Sequence, residues 1–190
     1  MRITGGTLRS RTLRAPRGTA TRPTTDRARE ALFNILGSES RIEGARVLDL
    51  YAGTGALAIE ALSRGAAHAT FVESARAALA VLRSNISALG LIGQASVVSG
   101  DVRSVKSRVA HDGPFDIIFA DPPWALVDTG EAAEALVEVV AIGALAEGGV
   151  VVLEHAARST PPGLEGLELR ERRRFGDTAI AFYENIANNA

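Results

Sequence analysis

Four acids stand where apolar runs end: Asp49 in RVLDL, Glu73 closing ATFVE, Asp101 closing SVVSGD and Asp121 closing DIIFAD. The last is followed at once by Pro122, Pro123 and Trp124, the only tryptophan in the chain. The Asp121 carboxylate and the Pro122 carbonyl are acceptors fixed in space, and Pro122 has no N–H to compete for them. They suit a substrate amine whose hydrogens must be held while its lone pair is aimed. Trp124 adds a flat face on which an extruded base can stack, at roughly 1–3 kcal/mol. Acids at strand ends also cap the helices that follow, and a rigid turn over a core tryptophan would account for the proline pair. Four in succession point further, because carboxylates around one cleft repel unless something cationic or rich in donors lies among them.

The stretch DLYAGTGALAIE places Gly53 and Gly55 in a tight turn that opens a helix. Such a turn reads first as a dinucleotide loop, with Glu73 on ribose hydroxyls. Asp49, just before the loop, would repel a pyrophosphate but hold an ammonium group. A ligand with a positive head, a ribose and an adenine satisfies the series: Asp49 and the loop backbone for an amino-acid end, Glu73 for the ribose, Asp101 for the adenine amine. S-Adenosylmethionine has those parts. Its methyl sulfonium is already activated, so transfer needs a positioned nucleophile and no metal.

The elements that must position these residues follow from hydrophobic pattern. RVLDL, ATFVE, SVVSGD, DIIFAD and GVVVLEH read as strands; ALAIEALSRG, SARAALAVLRSNISALG, VRSVKSRVAH and TGEAAEALVEVVAIGALAEG read as the helices between them. Continuous Val/Ile/Leu runs alternating with helices imply a parallel sheet covered on both faces, whose ligands lie beyond the carboxyl ends of the strands. LELRERRRFGDTAIAFYEN predicts an antiparallel hairpin about Gly176-Asp177, with RERRRF as the solvated face of an edge strand. DRAREALFNILG predicts a helix with Ala28, Ala31, Leu32, Ile35 and Leu36 on one face and Gly37 as its stop. ITGGTL predicts a hairpin turning at Gly5-Gly6, so that Arg9 and Arg11 project from one face.

With 190 residues, 46% hydrophobic and 23% charged, the chain can bury one good core. No apolar stretch approaches the roughly 20 residues that span a bilayer, and the N-terminus lacks the apolar block of a secretory signal, so a cytoplasmic location is expected. The absence of cysteine excludes disulfides, thiolate metal sites and covalent attack on a pyrimidine ring. His68, His111 and His155 are scattered without metal-ligand spacing. The net charge of -1 hides an asymmetry: residues 1–30 hold eight arginines against Asp26 and Glu30, which is +6, leaving -7 for the rest. Basic segments of this kind meet nucleic-acid phosphates. They also serve solubility, and with Lys106 the single lysine, an arginine bias of the genome would contribute.

From about Arg46 to His155 the chain resembles the class I methyltransferases: DLYAGTG looks like their first motif, FVE and GD their second- and third-strand acids, and DPPW their catalytic motif. DPPW is similar to the (D/N)PP(F/Y/W) signature of amino methyltransferases, with tryptophan where Phe or Tyr is usual. RITGGTLRSRTL followed by RPTTDRAREALFNIL resembles the N-terminus of bacterial 16S rRNA guanine-N2 methyltransferases, which extends the resemblance to nearly the whole chain. It implies a Rossmann-like α/β fold, with a mostly parallel sheet, helices on both faces, a C-terminal antiparallel hairpin and a small N-terminal β-hairpin extension. Residues 1–24 would form the RNA-contacting arm and 25–190 the methyltransferase domain. Asp121, Pro122, Pro123 and Trp124 would be catalytic. Asp49, Tyr51, Ala52, Gly53, Thr54 and Gly55 would meet the cofactor, with Glu73, Ser74, Asp101, Val102 and Asp121; Tyr51 could equally just pack. Arg22, Thr24 and Arg27 would lie near the cleft, with Arg2, Arg9, Arg11, Arg14 and Arg17 on phosphates. The implied partner is 16S rRNA within the small ribosomal subunit or its assembly intermediate, met by a monomer without metal or membrane. Two alternatives stand beside it. A DNA adenine-N6 methyltransferase would need a target-recognition insert for which this chain has little room. A non-catalytic RNA-binding assembly factor is disfavoured by the intact motifs.

Overall fold

Short β-branched runs separated by amphipathic helices have few ways to bury their apolar atoms, and a doubly covered parallel sheet is the commonest. The computed structural model, which describes residues 1–15 and 26–185, takes that form. Strands β1 (Arg46–Leu50), β2 (His68–Glu73), β3 (Ala95–Ser99), β4 (Phe115–Ala120) and β5 (Leu145–Ala156) run parallel; β6 (Leu167–Phe175) and β7 (Thr178–Asn185) form a hairpin. The order is β3-β2-β1-β4-β5-β7-β6, with β7 antiparallel to β5 and β6 at the edge. Phe175 pairs with Thr178, so Gly176 and Asp177 are the two-residue turn expected from sequence.

Helices α1 (Asp26–Ser38), α2 (Ala56–Ser63) and α3 (Arg76–Ala88) cover one face. There Val47, Phe71, Phe119 and Val152 pack against Leu32, Phe33, Ile59 and Leu82. Helices α4 (Lys106–Asp112) and α6 (Glu131–Ala141) cover the other, where Leu48, Ile118 and Val151 meet Val109, Leu136 and Val139. A short helix α5 (Trp124–Asp128) follows the proline pair directly.

Three expectations are corrected. The helix read through Gly148 ends at Ala141, because Gly143 turns the chain at φ 77° and Leu145 already belongs to β5. Helix α1 buries Ala28, Arg29, Leu32, Phe33 and Leu36, a face rotated from the expected one: Ala31 and Ile35 are only half-buried, and an arginine lies inside. The N-terminal segment is no hairpin turning at Gly5-Gly6. Its one bridge joins Arg2 to Thr12, and a broad loop between them is pressed against α2. A Cβ on Gly6 would lie 1.8 Å from the Ser63 carbonyl oxygen, so the glycine pair serves close approach to the helix end. Ile3 and Leu13 are buried in the same core as α1 and α2.

Candidate active site

The strand order reverses between β1 and β4, since β2 and β3 lie to one side of β1 and β4 and β5 to the other. Chains leaving neighbouring strands in opposite directions open a crevice at their carboxyl ends. A cavity of about 840 Å³ lies there, and Asp49, Glu73, Asp101 and Asp121 all line it. Tyr51, Ala52, Gly53, Thr54, Ser74, Val102, Pro122, Pro123 and Trp124 line it too, so residues from four strand ends converge as their order in sequence predicts. Gly55 does not line it. A Cβ there would come within 2.5 Å of Leu82 and 3.2 Å of Phe71, at φ 82°, so this glycine lets α2 start hard against the core. Gly53, at φ 56°, has open space where a side chain would be, and its role is to present backbone.

The carboxylates that line the cavity also hold its backbone. Glu73 Oε2 accepts the Gly53 N–H at 2.8 Å, and Oε1 accepts those of Ser74 and Ala75 at 2.8 and 2.7 Å. The acid thereby ties the glycine loop to the start of α3. Asp101 accepts the Arg103 N–H at 3.0 Å. Asp49, buried beneath the loop, accepts only a long 3.2 Å bond from the Ala58 N–H. Burial pushes its carboxyl up to about 7; the Ala58 bond opposes this and the charge of Glu73 adds to it. Tyr51 leads into the loop at φ 64°, a left-handed conformation costly for a side chain with a Cβ. Burial, and then the charge of Asp101, raise the pKa of its phenol.

The cavity wall also holds Met1 and Arg29, neither expected from sequence. Arg29 is fully buried: its Nε donates to Glu60 Oε2 at 3.4 Å, one Nη donates to Asp26 at 2.9 Å and to the Arg2 carbonyl, and Nη1 has no hydrogen-bond partner among the described residues. Glu60, on α2, is buried as well. It accepts from Thr4 N–H at 2.8 Å, Thr4 Oγ1 at 2.7 Å, Gly5 N–H at 2.8 Å and Arg64 Nε at 2.9 Å, besides Arg29. A second tie lies at Asn85, whose side chain bonds the backbone N–H and carbonyl of Arg14 and also the carbonyl of Thr54 in the glycine loop.

Of the predicted RNA-contacting residues, Arg2, Arg9, Arg11, Arg14 and Arg27 are exposed, and none lines the cavity. Arg17, Arg22 and Thr24 lie outside the described residues. Among the described residues no helix is long and apolar enough to cross a membrane.

A family model described as conserved hypothetical protein 95 matches residues 1–184. The YlbH protein of Bacillus subtilis (strain 168), named as a candidate rRNA methyltransferase, is 36% identical over 187 residues, covering 97% of this chain and 98% of that one. Ribosomal RNA small subunit methyltransferase D of Escherichia coli (strain K12) is 44% identical over 124 residues, which are 65% of this chain and 60% of its relative. Among solved structures, yhhF of Escherichia coli, titled a candidate methyltransferase, superposes with a TM-score of 0.81 at 37% identity over 99% of each chain.

Proposed function

The chain belongs to the family described as conserved hypothetical protein 95, and on that premise we propose that it is an S-adenosylmethionine-dependent methyltransferase whose substrate is the N2 amine of a guanine in 16S rRNA. The observation that carries this reading is the convergence of Asp49, Glu73, Asp101 and the Asp121–Trp124 stretch on one cavity at the strand switch. The names of the Bacillus and Escherichia relatives support ribosomal RNA as the substrate class, and the small subunit in particular.

The residues present fit the cofactor. Asp49 is a buried carboxyl held near neutrality, so a neighbouring ammonium would restore its charge, and Arg29 sets a buried cation with a spare N–H on the same wall. Acid and base together match an amino-acid zwitterion. Glu73 Oε1 already accepts two N–H bonds and Oε2 one, so the carboxylate is oriented with Oε2 left to take a ribose hydroxyl. Bound there, S-adenosylmethionine would supply a methyl group on sulfonium, open to in-line displacement. The Asp121 carboxylate and Pro122 carbonyl accept the two hydrogens of the guanine amine, turning its lone pair out of the ring and towards the cofactor side of the cavity. Pro123 starts α5 and sets Trp124 as its first residue, so the stacking face is fixed by a helix start rather than a loop. A ribosomal substrate places the enzyme in the cytoplasm.

Labelled methyl transfer onto purified small subunits, naked rRNA and duplex DNA, followed by nucleoside analysis, tests the reading. N2-methylguanosine in 16S rRNA is the expected product; methyladenine, in RNA or DNA, would reject the guanine assignment.

A further inference from the structure

Trp124 carries a cation over its ring. The Arg158 guanidinium carbon lies 5.9 Å from the ring centroid, at the end of β5 where the chain turns towards β6. Its backbone is pinned on both sides. The Ala157 N–H donates to the Asp177 carbonyl at 2.8 Å, and one Nη of Arg172 donates to the carbonyls of Ala157 and Ser159 at 2.6 and 3.1 Å. The side chain is held loosely by contrast. It is 72% exposed and bridges only at 3.4 Å to Asp128, which Ser159 Oγ holds by the other carboxylate oxygen at 3.1 Å. A long pair between exposed groups stabilises little and exchanges readily for a better anion.

We infer that Arg158 is a substrate-positioning residue that takes the RNA phosphate beside the extruded nucleotide while the base stacks on Trp124. The inference rests on the proposed RNA substrate. A base placed on Trp124 brings its sugar and phosphate to the same rim, where a rigidly anchored arginine with a loosely held head meets them. The guanidinium fork matches phosphate oxygens bidentately, which an ammonium cannot do. In the free protein Asp128 keeps the head parked over the indole.

The test uses the full chain and small subunits from cells lacking the enzyme. Arg158→Ala is expected to raise KM for the particle about tenfold, to leave kcat and the cofactor dissociation constant within twofold, and to lower the slope of log affinity against log salt by about one. Arg158→Lys should keep the salt slope while recovering only part of the KM, and Asp128→Asn should lower KM. Unaltered KM and salt slope in Arg158→Ala, with wild type active, overturn the inference alone. Wild type that transfers no methyl to these particles overturns it together with the substrate reading.

Discussion

Glu60, on helix α2, and Glu73, at the end of β2, are both held by several donors, and they differ in what is left for them to do. Glu60 is sealed in the core with five donors around its two oxygens, from the N-terminal loop, α1 and α2. Glu73 is held by three backbone N–H groups and still faces the cavity. Arg29 spans the two cases: its Nε and one Nη are held by Glu60, Asp26 and the Arg2 carbonyl, whereas Nη1 has no partner among the described residues. Saturation marks a charge that holds the fold together, and spare capacity marks one that waits for a ligand.

The contrast breaks most visibly if a rim acid proves structural. Asp121→Ala should lower kcat about 10³-fold, roughly 4 kcal/mol, by removing a preorganised acceptor. Cofactor affinity measured by calorimetry should stay within threefold. Glu60→Ala is the converse. Leaving Arg29 and Arg64 without their carboxylate should cost ~3–5 kcal/mol of stability in denaturant unfolding, while turnover per folded molecule falls far less than in Asp121→Ala.

Asp49 sharpens the contrast through pH. Its folded value of about 7 lies above the ordinary 3.8, so the native state binds the extra proton. The stability it contributes is full below about pH 4 and is lost as pH rises through 7. Asp49→Asn should therefore gain on wild type in urea unfolding over that window. Cofactor binding has the opposite sign, because an ammonium partner favours the carboxylate. Affinity should rise about tenfold between about pH 6 and pH 8 in wild type and stay flat in Asp49→Asn.

The smallest effect belongs to the N-terminal arginines. Removing the whole segment would strip donors from Glu60 and side chains from the core, so Arg9→Gln and Arg11→Gln separate charge from folding. Each should reduce the salt slope of RNA binding by about one and leave the melting temperature alone.

The parallel strands and the rim are legible in sequence because four of those strands are short apolar runs with an acid at or near the end, and topology then carries those acids to one place. Arg29 and Glu60 are not. A lone charged residue in an amphipathic helix looks like its solvent face, and the partner that neutralises it comes from a distant segment that pattern does not connect. The N-terminal loop is misread for a related reason: Gly5-Gly6 suits a hairpin turn locally, but the surface of α2 decides its shape. Helix α5 escapes because a turn this short has no period to detect.

The placement of β4 beside β1 governs when the site can exist during folding. Asp49 leaves β1 early in the chain, but Asp121 arrives only after β2 and β3 have been laid on the far side, so the two walls meet through one of the sheet's long-range pairings. Asp49, Glu73 and Asp101 come from three neighbouring strands that precede β4, so the wall carrying Asp121 is the last to be added, and only a closed central sheet holds both.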